Sequence, residues 1–398
     1  MSGGLAALLL AGLAAADPAI PPERPRPNPM WVVMPAIGYD SDDGLGFGAR
    51  LELDWYKDGY DPYQAALVVH GYASSNGYHH HRVRFDLPGL GREGGARLSG
   101  HFAFRQWLND GYWGIGNGTT VARAAVDGAD GALEKRYRYT LVQPFGRLTL
   151  RTAIGGPWAW FAFFSGRYSE VRAYEGSLLA EEQPFGMDGG PAIQGGAGLL
   201  YDTREPELTP DKGVLVELAA RATPPLPGVP GQWVAAFASV RGFVPLGASV
   251  VFGSRLMAEH MWGDIPFFDY ITWGGLVPTV GFGGSETLRG VSFGRWRGPG
   301  KVLSNSELRV DIGTHTILRR QVRWQAVPFV DLGAVYGNDA DADFPVHPGV
   351  GFGLHPIIEK TFAGRFDAAM GMELVEEGDG SVTYEPNFGF YVVFERVF

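Results

Sequence analysis

Phe362-Ala363-Gly364-Arg365-Phe366-Asp367-Ala368-Ala369-Met370-Gly371-Met372-Glu373-Leu374 is the stretch whose reading decides the fold. Phe362, Phe366, Ala368, Met370, Met372 and Leu374 fall on one parity, and Arg365, Asp367 and Glu373 fall on the other. A period of two belongs to a β-strand, whose successive side chains point to opposite faces. A strand that crosses a bilayer needs about 9–11 residues with one face towards lipid. The same alternation recurs upstream. Leu51, Leu53 and Trp55 oppose Arg50, Glu52 and Asp54. Val83, Phe85 and Leu87 oppose Arg82, Arg84 and Asp86. Leu98, Phe102 and Phe104 oppose Arg97, Ser99, His101 and Arg105.

A soluble sandwich with one wet face alternates in the same way. The length and number of the segments argue against it, and no stretch at helical spacing separates them. About sixteen strands are expected, beginning near Trp31, Leu45, Tyr63, His79, Ala96, Arg136, Trp158, Gln194, Val214, Gln232, Ser249, Val302, Val322, Gly349, Phe362 and Thr383; an even count is what a single-chain barrel needs. Lipid tolerates no open sheet edge, so the expected fold is an all-β, closed transmembrane antiparallel β-barrel. Tight connections such as Pro245-Leu246-Gly247 are assigned to the periplasmic side. Long ones, at roughly 108–135, 172–192 and 262–301, are assigned to the outside. Trp55 with Tyr56, Trp107 with Tyr112, Trp262, and Phe267 with Phe268 are expected to form an interfacial aromatic girdle.

The composition fits. Of 398 residues, 59 are glycine and 13% are aromatic, a mixture suited to turned, lipid-girdled strands and costly in helices. There is no cysteine, which excludes disulfide frameworks and thiolate metal centres. The net charge of −10 argues against nucleic acid as a partner. Leu5 to Leu13 is an apolar run followed by Ala14-Ala15-Ala16 and Asp17, the pattern of a signal peptide over 1–16 cleaved after Ala16. Residues 17–30 form a proline-rich periplasmic linker, with the barrel over 31–398.

Near the C-terminus, Asn387, Gly389, Val392, Phe394 and Phe398 lie in a strand whose Phe388, Phe390, Val392, Phe394 and Phe398 share one parity. This arrangement resembles the signal by which outer-membrane barrels are recognised for assembly. Four further motifs occur in order. They are Leu200-Tyr201-Asp202-Thr203-Arg204 with Pro210 and Gly213; Leu288-Arg289-Gly290-Val291; Asn305-Ser306-Glu307-Leu308-Arg309; and Phe329-Val330-Asp331-Leu332-Gly333-Ala334-Val335-Tyr336. Together they resemble the BamA/TamA-type outer-membrane assembly barrels, the bacterial surface antigen family, with Val291 standing where the family usually has an aromatic residue. The resemblance implies that the long loop carrying Leu288, Arg289, Gly290 and Val291 folds back into the lumen. It also implies that Arg289 meets Glu307 and Asp331 on the inner wall. The parity of Asn305, Glu307, Arg309 and Asp311 independently turns Glu307 towards the lumen. Family members that insert or translocate proteins carry periplasmic domains ahead of the barrel, and here the expectation is a barrel domain only.

Other candidate chemistry is weak. His79-His80-His81 places only His79 and His81 on one face. Asp339, Asp341 and Asp343 lack the glycine and the bidentate glutamate of a calcium loop. Ser99 and His101 share a face without forming a triad. The expected protein is no enzyme, needs no cofactor or metal, and resides in the cell outer membrane. Its partners are lipid and lipopolysaccharide, with client outer-membrane proteins and periplasmic proteins implied by the resemblance. The expected function is assembly, insertion or translocation of outer-membrane proteins, through a weak seam between the first and last strands. There the first strand, Trp31 to Tyr39, is expected to be short and weakened by Pro35. The alternative is a structural or pore-forming barrel without insertase activity.

Overall fold

The computed structural model describes residues 28–40, 44–60, 63–90, 95–126, 135–207, 209–317, 320–337, 346–358 and 362–393. The signal peptide, nearly all of the proline-rich segment, Asp339, Asp341, Asp343, Phe394 and Phe398 lie outside these residues.

The period-two segments form sixteen long strands among the described residues. They are β1 (Met30–Asp40), β2 (Gly44–Trp55), β3 (Ala65–Ser74), β4 (His79–Leu90), β5 (Ala96–Gly111), β6 (Arg138–Gly155), β7 (Trp158–Ala173) and β8 (Gly190–Asp202). They continue with β9 (Gly213–Thr223), β10 (Trp233–Pro245), β11 (Val250–Gly263), β12 (Gly300–Ile317), β13 (Arg320–Tyr336), β14 (His347–Ile358), β15 (Arg365–Glu376) and β16 (Val382–Val393). Each strand pairs antiparallel with the next, from Met30↔Asp54 between β1 and β2 to Arg365↔Val393 between β15 and β16. β1 and β16 lie against one another where the ends of the sheet meet. Described helix is confined to short pieces in loops, at Arg123–Val126, residues 135–136 and Leu178–Glu182.

Burial follows parity, with the usual polarity reversed. Buried positions hold Arg221, Arg255, Glu259, Lys301, Glu307, Asp331 and Asp367; exposed positions hold Phe390 (71%), Phe388 (65%), Phe164 (60%) and Leu256 (57%). Exposing so much apolar surface to water forfeits about 25 cal/mol per Å², and in hydrocarbon that cost disappears. The outer face is therefore a lipid face and the inner face a polar lumen. The long connection between β11 and β12, residues 264–299, occupies that lumen. Its Trp273, Phe282, Leu288, Val291 and Trp296 pack with Phe237, Met257, Leu303 and Val335 of the wall.

Two expectations need correction. Of the residues assigned to a girdle, Trp262 faces outwards, but Trp107, Tyr112, Phe267 and Phe268 are buried. Tyr112, Phe267 and Phe268 form a cluster with Tyr139, Leu141 and Leu179, because the long loops pack on one another and use strand-end aromatics as their own core. β1 is not short. Its eleven residues pair throughout with β2, and Pro35 sits opposite Ala49 on a strand at the sheet's edge, where proline is tolerated.

The reversed polarity generates a prediction. Leu256→Arg, near the middle of β11, should destabilise the barrel by about 2–4 kcal/mol when unfolding by urea is followed in lipid vesicles. An unchanged midpoint would place that face away from lipid.

Candidate functional site, the inward loop and its carboxylate cradle

Loop 264–299 is held at its root, tip and return. At the root, Glu259 of β11 lies 2.7 Å from Arg221 of β9 and 2.8 Å from Lys301 of β12. The Glu259 carboxylate also accepts the Gly274 amide at 2.6 Å, while Arg221 and Lys301 donate to the Thr272 carbonyl at 2.8 and 2.7 Å. Arg147 of β6 donates to the Gly275 carbonyl at 2.6 Å, with its guanidinium 3.6 Å from the Phe163 ring centre. Glu217 of β9 accepts the Leu276 amide. The loop's own ladder is confined to Thr272–Trp273 against Thr279–Val280, so buried wall charges satisfy much of its remaining backbone.

At the tip, Arg289 is fully buried. Its Nε and Nη2 form a fork on Asp331 of β13 at 2.7 and 2.9 Å, and its backbone amide donates to the same carboxylate at 3.1 Å. Nη1 reaches Glu307 of β12 at 3.1 Å and Asp367 of β15 at 3.3 Å. The guanidinium lies 3.3 Å from the Phe329 ring centre. A planar fork suits this arrangement, since lysine supplies only a point charge. The carboxylates are themselves shared. Arg309 is 3.0 Å from Glu307, Arg365 is 3.0 Å from Asp367, and His355 is 2.8 Å from Asp367. Asn305 donates to Asp331 at 2.7 Å and to the Thr287 carbonyl at 2.6 Å.

Gly290 follows with φ +86°, a conformation that side chains disfavour, and a Cβ there would collide with backbone atoms of Met370 and Gly371. Gly349 and Gly371 are the reciprocal gaps in the wall, against the backbone of Arg289 and Gly290. Leu288 and Val291 lie in the lumen's apolar cluster, so Val291 is accommodated where the resemblance led one to expect an aromatic residue. The Gly290 amide donates to the Tyr391 hydroxyl of β16 at 2.9 Å, which couples the loop tip to the last strand.

On the return, Arg295 pairs with Glu373 and donates to the Thr119 carbonyl at 2.7 Å, and Arg297 donates to the Gly111 carbonyl at 2.7 Å. Trp296 stacks on His347 at 3.5 Å.

The structure therefore brings Leu288, Arg289, Gly290, Val291, Glu307 and Asp331 together in one place. Asp367, Tyr391 and the root residues Glu217, Arg221, Glu259 and Lys301 are additional to the residues singled out from sequence. Asp367 carried the available signal, because it alternates with Phe366 and Ala368. The strand-end residues lie elsewhere: Asn387 pairs with Gly371, Gly389 with Ala369, and Val392 faces outwards beside Phe366. The histidine triplet divides between faces. His80 lies on the same face as Arg82, while His79 and His81 share the other face with ring centres 5.8 Å apart.

Two substitutions test the cradle. Arg289→Ala leaves three carboxylates without their common cation, and loss of one partner from a buried pair costs about 3–5 kcal/mol. The urea midpoint of the membrane-embedded barrel should fall accordingly. Tyr391→Phe strands the Gly290 amide and should cost about 1–3 kcal/mol. An unchanged midpoint in both would mean that the tip is not held as described.

The comparisons with known proteins agree with this architecture. The Omp85 superfamily domain matches residues 191–377, which include the inward loop and its cradle. No curated protein matches the chain in sequence. Among solved structures, BamA from Haemophilus ducreyi lacking POTRA domains 1–3 is similar, with a TM-score of 0.53 at 14% identity, covering 92% of this chain and 71% of that one. CdiB from Escherichia coli is also similar, with a TM-score of 0.59 at 13% identity, covering 91% of this chain and 61% of that one. At such identities the likeness is one of fold. Taken with the lipid face, the inward loop and its arginine, it makes the chain an outer-membrane β-barrel whose residues 191–377 match the Omp85 superfamily domain.

Proposed function

We propose that this barrel takes part in the assembly, insertion or translocation of outer-membrane proteins, and that the meeting line of β1 and β16 is where a client strand is received. The observation that carries this reading is the contrast between the two sides of each terminal strand. β1 pairs with β2 along its whole length and β16 pairs with β15 along its whole length. Among the described residues no ladder joins β1 to β16, although the two strands lie together. A strand edge with unsatisfied backbone groups recruits another strand. In hydrocarbon each unsatisfied group costs several kcal/mol, so a client strand that pairs there is strongly favoured.

The cradle supports the same reading, since Tyr391 ties β16 to a loop tip that is itself fixed to β12, β13 and β15. At the outer end, Arg123 spans 2.5 Å to Glu377 and 2.8 Å to Glu385, clasping the β15–β16 hairpin to the loop after β5. The short strand Val121–Ala122 of that loop also pairs in parallel with Val375 and Glu376. The last hairpin is thus supported from the lumen and from outside, while its far edge remains available.

The clasp has a definite pH response. Hydrogen bonds from Arg123 and Thr383 lower the Glu377 pKa to about 2. A lowered folded-state value stabilises above the unfolded carboxylate range, and the contribution disappears as pH falls through the lowered value. The stability lost on Glu377→Gln should therefore be constant from neutral pH to about pH 5 and vanish towards about pH 2, read from unfolding midpoints of the two barrels.

The chain's lack of cysteine allows a direct test of the seam. Cysteine pairs between residues 31–35 of β1 and 388–391 of β16 would be oxidised in barrels reconstituted into lipid vesicles. The locked barrel should no longer accelerate folding of a second outer-membrane protein into the vesicles, and reduction should restore it. Full acceleration by the locked form would refute reception at this seam.

A further inference from the structure

At the end of the barrel opposite the entry of loop 264–299, the connection between β8 and β9 folds across the mouth. It carries most of the strand-turn-strand motif read from the sequence, with Thr203, Arg204, Pro210 and Gly213. Its stem is a narrow hairpin: the Thr203 amide donates to the Val214 carbonyl at 2.9 Å and the Glu205 amide to the Lys212 carbonyl at 3.0 Å. Gly213 has φ +98°, and a Cβ there would collide with the Thr203 carbonyl, so glycine permits the sharp fold.

The tip of this connection is held from two walls. Glu207 lies 2.6 Å from Arg97 of β5 and 3.5 Å from Arg151 of β6. Asp211 lies 3.5 Å from Arg323 of β13, and the Pro210 carbonyl accepts from Arg309 of β12 at 3.4 Å. The two anchoring arginines are themselves positioned, Arg97 by Asp86 at 2.5 Å and Arg323 by Asp311 at 3.3 Å. In a ring of sixteen strands β5 and β13 stand eight apart by either route, so the tip reaches opposite walls. Thr209 and Pro210, between the two anchors, are buried. Arg309 in turn lies 5.0 Å from the Phe243 ring centre, and Phe243 forms a small buried cluster with Val251.

These anchors differ from the Arg289 cradle in burial. Arg289 and Asp331 are withdrawn from solvent, whereas Glu207 and Asp211 keep 30% and 38% of their side-chain surface exposed. Ion pairs so exposed contribute little each and are screened by salt. The tip is therefore closed by contacts that can be released without dismantling the barrel. Arg309 joins the two systems, since its guanidinium also lies 3.0 Å from Glu307 of the cradle.

We propose that the β8–β9 connection is a latch that shuts the periplasmic mouth of the lumen, with Glu207 and Asp211 as its two releasable catches. Loop 264–299 enters the lumen from one end, and the latch closes the other. Local opening of such a connection costs far less than unfolding the strands that carry it. The latch is independent of the seam between β1 and β16, so either reading can fail without the other.

Thiol labelling tests this directly, because the chain has no cysteine of its own. Thr209→Cys and Val251→Cys would each be placed in the full chain and folded into lipid nanodiscs, which leave both mouths open to water. Gel heat-modifiability would confirm folding. A water-soluble maleimide should modify either cysteine far more slowly than it modifies the unfolded chain. Glu207→Gln with Asp211→Asn removes two exposed ion pairs and should raise both rates about five- to thirtyfold. Potassium chloride at about 1 M should act in the same direction. Neutralising the solvent-facing stem pair instead, by Glu205→Gln with Lys212→Gln, should leave both rates unchanged. Labelling of Thr209→Cys at the unfolded rate would overturn the latch, as would rates unmoved by both the tip variant and salt. Acceleration confined to Thr209→Cys would overturn it too, since the connection would then move without guarding the mouth. So would an equal acceleration by the stem variant.

Discussion

Lipid on one side of a sheet requires alternate residues to be apolar, and the chain's remaining chemistry then has to face inwards. Arg221, Arg255, Glu259, Lys301, Glu307, Arg309, Asp331, Arg365 and Asp367 are buried for that reason. Buried charges persist only when paired and hydrogen-bonded, because removing each from water costs several kcal/mol. The lumen therefore needs a partner that supplies both a cation and backbone dipoles, and loop 264–299 supplies them. Arg289 brings the cation to Asp331, Glu307 and Asp367, while the amides of Gly274 and Leu276 and the carbonyls of Thr272 and Gly275 meet charges on the wall.

The loop's position determines what the two halves of the barrel can do. On the β8–β15 side it forms a dry core with Met257, Leu303 and Val335. Its tip enters the gaps left by Gly349 and Gly371 and reaches Tyr391 on the last strand. A strand so supported from within is held to the barrel by the loop tip as well as by its ladder to β15. On β5 the loop places the Phe293 ring centre 4.6 Å from that of Trp107, and Arg297 donates to the Gly111 carbonyl at 2.7 Å.

Much of this was legible in the sequence because the strand period is two and lipid enforces it on every spanning segment. All sixteen expected strand starts fall within four residues of the observed ones, and Glu307 and Asp331 face inwards as their parity requires. Parity gives a side chain's face but not its partner. Asp367 was visible as an inward carboxylate, yet its approach to Arg289 depends on how far the loop descends past β13 to β15. Glu259 was obscured because its inward neighbours Met257 and Met261 are apolar, which reverses the usual polarity on the side covered by the loop. The aromatics at 107, 112, 267 and 268 were misplaced for a related reason: a loop core draws on the same residues as a membrane girdle, and composition does not separate the two.

The central claim is that one buried arginine fixes the inward loop by direct contact with the wall, and a double-mutant cycle between Arg289 and Asp331 tests it most directly. Arg289→Met, Asp331→Asn and the pair together would be unfolded in urea from lipid vesicles. The account predicts that the two single losses together exceed the double loss by about 1–3 kcal/mol, as for residues in one charge network. Losses that add within about 0.5 kcal/mol would contradict it.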